Sequence, residues 1–292
     1  MSIKPVSAAQ IRASVIEAIG EIYCRPTAEA AKLLQGALDA EQDELARDML
    51  SSILLNHQIA LRDGLPLCQD TGLLIVFADL GQNVHIEGGV LEQIISEAAA
   101  TAWQKFHLRD SIAPDPLRRM HCGEGHDHPE PASHEPSKLP VVLHLEQVPG
   151  DKLTLHLALK GGGAENCSAL KMFLPCAAAG EIEEFVVQTV VEAGGKACPP
   201  VFVGVGIGGD FESCAILAKR ALMSSGTGCV ENEDMAGRIL SRINQRGGGV
   251  MGFAGSTTAL KVSILTRPCH IASLPVAVNI DCHAHRFTNR VI

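Results

Sequence analysis

Leu67-Cys68-Gln69-Asp70-Thr71-Gly72 sets a thiol, an amide and a carboxylate on consecutive residues. A thiolate is a soft metal ligand, and a carboxylate can take or give a proton. Side by side they suit a small volume shared by a metal site and a proton-transfer group. The same six residues fit equally a buried Cys beside an exposed loop Asp.

Further candidates follow along the chain. Arg109 opens the segment 108–117, whose two prolines make it extended; it is a carboxylate clamp or a surface Arg. Gly161, Gly162 and Gly163 lie between Lys160 and Asn166. Three glycines bring backbone close to a ligand or form a tight turn, and the Lys and Asn favour an anionic ligand. Ala197-Cys198-Pro199-Pro200 precedes an apolar strand and Gly204-Val205-Gly206-Ile207-Gly208-Gly209. That spacing is wrong for a dinucleotide fingerprint and reads as an anion-receptive strand-to-helix turn or a packing device. Cys269-His270 and Asp281-Cys282-His283-Ala284-His285-Arg286 close the set. The segment 120–138 holds His121, Cys122, His126, His128 and His134 among Gly, Glu, Pro and Ser, a flexible surface loop with affinity for transition metals.

Several elements must position these groups. Apolar stripes predict three helices over 7–62, with Ser7 capping the first and Pro26-Thr27 opening the second. Gly64 and Pro66 end the third and set up the Cys68 turn. Leu73 to Ala78 reads as a buried strand, 90–107 as a helix, and 140–147 with 152–159 as a hairpin turned by Pro149-Gly150-Asp151. A helix ends at Gly194-Gly195, another follows the 204–209 glycines, and 231–245 is helical. Strands at 259–266 and 276–280 finish the series. The expectation is a mixed α and β fold, a helical N-terminal region followed by β-sheets surrounded by helices. No internal repeat or linker divides it, so 1–292 is expected to be one domain carrying the insert at 120–138.

Composition narrows the function. With 3% aromatic residues and a formal charge of −9, nucleic acid is an unsuitable partner, while a small anion in a locally basic cleft is not excluded. No apolar run spans a membrane, and the N-terminus lacks the apolar core of a signal peptide. Ten cysteines without a C-x-x-C pair then point to reduced thiols in a cytoplasmic protein, some holding metal, rather than to a disulfide framework.

Four segments in order carry a resemblance: Cys68 to Gly72; Lys160 to Asn166; Ala197 to Pro200 with Gly204 to Gly209; and His270 to Pro275 with Asn279 to Cys282. They are similar to the α subunit, or N-terminal domain, of class I fumarate hydratase and L-tartrate dehydratase, which are iron–sulfur hydro-lyases. The resemblance spans nearly the whole chain, and Pro149 to Leu153 and Leu170-Lys171-Met172 fit it too. It implies a 4Fe-4S cluster on Cys68, Cys198 and Cys282, which spacing alone could not pick from ten. Cys167, Cys176, Cys214 and Cys229 sit in helical or packing contexts, Cys24 and Cys122 have no evident role, and Cys269 is the competitor.

Three thiolates leave one iron open as a Lewis acid for the substrate hydroxyl and carboxylate, and no nicotinamide is required. The resemblance further implies Asp70 as acid/base group, Gln69 as its hydrogen-bonding neighbour, Arg109 as carboxylate clamp and Gly161 to Gly163 as backbone contact. His270 resembles the active-site histidine, or else satisfies a backbone carbonyl. Single-chain relatives carry a C-terminal domain with further Arg and Lys clamps and a Thr base. This chain ends at Ile292, so a separate β subunit, an α2β2 assembly and little activity of the chain alone are expected. The implied reaction is hydration of fumarate to L-malate, a step of the tricarboxylic acid cycle. L-Tartrate dehydratase is the alternative; Lys160 to Asn166 and Pro149 to Leu153 look nearer to the fumarase α chain. A non-catalytic metal-binding protein using the 120–138 loop is the alternative of another class.

Overall fold

The computed structural model describes residues 3–109, 111, 117, 141–224 and 232–292. The His-rich segment, Cys122 and Cys229 lie outside these. The chain divides into two compact units, each assembled from separate stretches: Met1–Arg25, Asp63–Lys160 and Arg286–Ile292 in the first, Pro26–Arg62 and Gly161–His285 in the second. The architecture is mixed α and β, with N-terminal helices ahead of the sheets, as the sequence predicts. Among the described residues no helix is long and apolar enough to cross a membrane.

In the first unit, β1 (Lys4–Ser7) ends at the cap of α1 (Ala8–Ile22). The Ser7 hydroxyl accepts from the Gln10 amide, and Gln10 Oε1 accepts from the Ser7 amide at 2.9 Å, so two otherwise orphaned helix-start donors are satisfied. Ile11, Val15, Ile19 and Ile22 line one face of α1 and are buried. Burial of each contributes about 2 kcal/mol. They meet Ile94, Ile95, Ala98 and Ala102 of α4 (Leu91–Lys105) and the inner face of a sheet ordered β10 (Arg286–Val291), β5 (Leu153–Lys160), β2 (Leu73–Gly81), β4 (Val141–Val148). That face carries Leu74, Val76 and Ala78 of β2 and Leu153, Leu155, Leu157 and Leu159 of β5; β5 begins with apolar–polar alternation, whereas β2 also buries Ile75 and Phe77 on its other face.

The expected hairpin is not formed. β4 (Val141–Val148) and β5 both pair with β2, β4 parallel and β5 antiparallel, so β2 lies between two strands that are neighbours in sequence. A Pro-Gly-Asp turn signals chain reversal but does not specify whether the reversed strands touch. Here the link 149–152 bridges the end of β2: the Gly81, Gln82 and Asn83 amides donate to the Lys152, Val148 and Gly150 carbonyls at 2.9, 2.8 and 3.0 Å. Gly81 has to be glycine, since a Cβ would lie 2.7 Å from the Gly150 oxygen. The short strand β3 (Val84–Glu87) pairs in parallel with β1, and β10 (Arg286–Val291) pairs with β5. Sequence periodicity misses all three.

In the second unit the sheet runs β6-β9-β7-β8. Its strands are β6 (Ala169–Phe173), β7 (Val201–Gly208), β8 (Ala259–Arg267) and β9 (Leu274–Asp281). α6 (Ala179–Ala193) and α8 (Glu233–Arg246) contribute Ile182, Val186, Val190, Ile239 and Ile243 to one core. α7 (Phe211–Leu222) packs on β7 across glycines: a Cβ on Gly204 or Gly206 would lie 2.2 Å from the Ala218 or Cys214 carbonyl oxygen. Of the two readings of the 204–209 glycines, packing is the one these positions carry. Leu34 of α2 (Ala28–Ala40) and Leu50 of α3 (Glu44–Asp63) join Phe202 and Leu260 in a further core.

Candidate active site

The Cys68 loop is held by its backbone. The Leu67 amide donates to the Tyr23 carbonyl at 2.8 Å, and Gly72 turns the chain at φ +80° into β2. Arg286, buried at the start of β10, donates through Nη2 to the Asp70 carbonyl at 3.0 Å and to that of Thr71 at 3.4 Å. The Thr71 hydroxyl accepts from the Arg109 amide at 3.1 Å. The chemistry-bearing side chains stay open. Cys68 is half-buried with Sγ 3.4 Å from Gln69 Oε1, Gln69 and Arg109 are exposed, and half-buried Asp70 accepts from Ser111 Oγ at 3.2 Å. Arg286 ends the D-C-H-A-H-R string, and nothing in its spacing signals this role.

In the second unit three predicted pieces share one end of the sheet. Cys198 follows a 3-10 turn (Gly194–Ala197) and sits in the left-handed region at φ 53°, a conformation that costs a non-glycine residue about 1–3 kcal/mol. Cys282 follows the last residue of β9. The His283 amide lies 3.5 Å from the Cys198 carbonyl, so the two cysteine loops adjoin, and both cysteines are half-buried. The glycine turn lies there too. Gly161 precedes the single turn α5 (Gly162–Glu165), and a Cβ on Gly163 would be in ordinary contact, 3.6 Å, with the Lys196 carbonyl. The turn is anchored by Glu165, paired with Lys219, whose Oε2 accepts from Asn279 Nδ2 at 3.0 Å; the same amide reaches Ser168 Oγ at 2.9 Å. Asn279 stands three residues before Cys282 on β9. Glu165 and Asn279 lie inside quoted motifs, but single residues do not disclose a pairing 114 positions apart.

His270 is elsewhere. It lies in the exposed turn before β9, where Nδ1 accepts from the Ala272 amide at 3.1 Å, which leaves Nε2 as the protonated nitrogen of the neutral ring. Cys282 follows the opposite end of the same strand. Eight residues of strand separate the two by about 25 Å. Within one chain the structure does not bring His270 to the Cys198–Cys282 end. Cys269 is exposed in the same turn. Of the cysteines read as packing residues, Cys214 is buried and Cys167 half-buried, while Cys176 is exposed.

Beside the cysteine end, Asp48, Met49, Ser52, Ile53 and Asn56 of α3 line a cleft of about 400 Å³ with Met251 and His283. His57 of the same helix is 7% exposed, its ring 6.0 Å from that of His283, and among the described residues neither ring nitrogen has a hydrogen-bond partner. Burial alone pushes its pKa down to about 4, so it is neutral at physiological pH. Among the described residues no three His, Cys, Asp or Glu side chains gather closely enough to hold a metal ion. Cys68, Cys198 and Cys282 are each half-buried, and a cysteine thiolate is a donor suited to a soft metal.

Comparison with known proteins accords with this reading. A profile of the family described as fumarate hydratase (Fumerase) matches residues 12–290. The chain is 33% identical over 277 residues to the "Putative L(+)-tartrate dehydratase subunit alpha" of Methanocaldococcus jannaschii, covering 93% of this chain and 94% of that one. It is 27% identical over 251 residues to the "L(+)-tartrate dehydratase subunit alpha" of Escherichia coli strains UTI89 and K12, covering 85% of this chain and 79% of theirs. The chain belongs to the fumarate hydratase family and is a hydro-lyase.

Proposed function

We propose that the whole chain is the α-subunit catalytic domain of an iron–sulfur hydro-lyase that reversibly hydrates fumarate to L-malate. The observation that carries this is the meeting of Cys198, Cys282 and the Gly161–Gly163 turn at one sheet end, in a chain of this family. A 4Fe-4S cluster held by Cys68, Cys198 and Cys282 would supply a Lewis-acid iron for the substrate hydroxyl. The chain's own residues do the rest. Asp70 holds or moves the proton at the hydroxyl, with Ser111 Oγ orienting its carboxylate. Gln69 donates a hydrogen bond beside it. The exposed Arg109 guanidinium takes a substrate carboxylate in a fork, and the backbone of Gly161 to Gly163 approaches the substrate closely. His270, at the far end of β9, would serve the site of a second copy of the chain in an α2β2 assembly.

Dehydration of L-tartrate is the second reading, favoured by the names of the relatives. Both substrates are small dicarboxylates with a hydroxyl on the carbon next to a carboxylate. The relatives named as α subunits support a separate β subunit here, which would complete the site. Reduced thiols accord with a place in the cytoplasm.

Anaerobic reconstitution tests the assignment. The cluster is expected to be lost in Cys68→Ser and kept when 121–137 are deleted. The reverse result would overturn the enzyme reading and favour metal binding by the His-rich segment. Malate, fumarate and tartrate assayed in parallel, with and without the β subunit, then give the substrate. The chain alone is expected to be nearly inactive.

A further inference from the structure

We propose that Asp281, His285 and Phe202 form a clasp that sets the positions of Cys198 and Cys282, and so act as positioning residues for the cluster. The inference rests on the reading that these cysteines hold it. Asp281 Oδ1 accepts from the Cys282 amide at 3.1 Å, and its other oxygen accepts from His285 Nδ1 at 2.9 Å. Asp281 and His285 are 6% and 4% exposed. A buried carboxylate must be paired and hydrogen-bonded, and here both oxygens are used within five residues of chain. The His285 amide closes the turn on the Cys282 carbonyl at 3.2 Å, at a φ of 30° that a non-glycine residue adopts only when its surroundings hold it there.

What holds it is Phe202. The two rings stack face to face, centroids 4.0 Å apart and planes at 10°. Phe202 is also the register partner of Asp281 where β7 meets β9. It stands four residues after Cys198, as His285 stands three after Cys282. One stack and one carboxylate thus connect both cysteine loops, and the His283 amide reaching the Cys198 carbonyl lies between them. Partners that orient a ligand residue without touching metal change metal affinity about 10–100-fold when removed. Neither side of the clasp is a plain packing choice. An apolar residue at 285 would fill the same space but leave the Asp281 carboxylate buried against one donor fewer.

The test uses the full chain, reconstituted anaerobically with ferrous iron and sulfide. Iron and sulfide per chain, the rate of iron release to a ferrous chelator, and alkylation of Cys282 by iodoacetamide in the cluster-free chain are measured. His285→Leu is expected to release iron about 10–100-fold faster and to alkylate faster. His285→Asn, whose amide can donate where Nδ1 does, is expected to stay within about 3-fold of the parent, about 0.65 kcal/mol. A purely structural role would lower thermal stability of all variants alike without separating Leu from Asn. If His285→Leu does not fold by circular dichroism, Phe202→Leu carries the test, since it keeps apolar volume and removes the flat face. Parental release rates in the folded variants, with Cys198→Ser and Cys282→Ser losing the cluster, would overturn the clasp. A cluster retained in both serine variants would instead overturn the assignment of those cysteines.

Discussion

The two stretches that bear candidate catalytic groups are held in opposite ways. The Cys68 loop is fixed through its main chain, by one buried guanidinium on two carbonyls and by the Leu67 amide on the Tyr23 carbonyl, while Gln69 is exposed and Asp70 half-buried. The Cys198–Cys282 end is fixed through side chains, the buried Asp281–His285 pair and the partly buried Glu165–Asn279–Ser168 network. On the proposed function the first arrangement serves proton transfer and substrate. The second suits ligands that should not move. The Asp281 carboxylate in the second case lies out of water, where a lost bond costs more than it does on the surface.

Variants can break this contrast, taken here from the largest expected effect. Asp70→Asn is expected to lower kcat about 10²–10⁴-fold while iron and sulfide content stays at the parental level. Loss of the cluster in this variant would show that the loop's side chains are structural after all. Next is acid. Burial depresses the folded-state pKa of His57 to about 4 from the ordinary 6.5, so the unfolded chain takes up a proton first as pH falls. Stability present above about pH 6.5 is therefore lost between there and about pH 4, by up to about 3 kcal/mol. Urea unfolding of His57→Phe across that range is expected to show a flatter profile; an unchanged profile would remove His57 as the cause.

Arg286→Met, which frees the Asp70 and Thr71 carbonyls, is expected to lower kcat/KM about 10–100-fold, equivalent to about 1.5–3 kcal/mol for a charged hydrogen bond. The alkylation rate of Cys282 should not change in that variant, and a change would erase the contrast between the two modes of support. The smallest effect is at Glu41. Burial pushes its pKa up, but the Ser256, Asp43 and Gln42 amides and the Ser256 hydroxyl together hold it below the usual range. Its contribution is present above the ordinary carboxylate pKa and is lost as pH falls through the lowered one. Glu41→Gln is expected to cost about 1–2 kcal/mol at pH 7 and to give a shallower acid limb below about pH 4.5.

Much of the fold could be read because it is periodic. The stripes of α1 and α4, the apolar run of β2 and the alternation at the start of β5 are local patterns that tertiary structure reinforces. What could not be read was pairing. The Pro149-Gly150-Asp151 turn looks the same whether or not a third strand intervenes, and β10 is a mostly polar strand whose partner lies more than a hundred residues upstream. The candidate site divides along the same line. Cys68 and Asp70 stand out as residue types in a turn, whereas Arg286, Asn279 and His285 acquire meaning only from partners that sequence does not reveal. His270 shows the converse, a recognisable residue that the fold sets at the far end of β9 from Cys282.

The strand order of the first unit also governs how the chain can be made. β2 has no partner until β4 and β5 exist, since Leu73 pairs with Lys160. At about 5–20 residues per second, those 87 positions leave an apolar strand unsatisfied for roughly 4–17 seconds of synthesis. The sheet is finished only when 286–292 add its outer member. A nascent chain of this design therefore waits on its own later residues, and slow translation through 82–152 should raise its demand for chaperones.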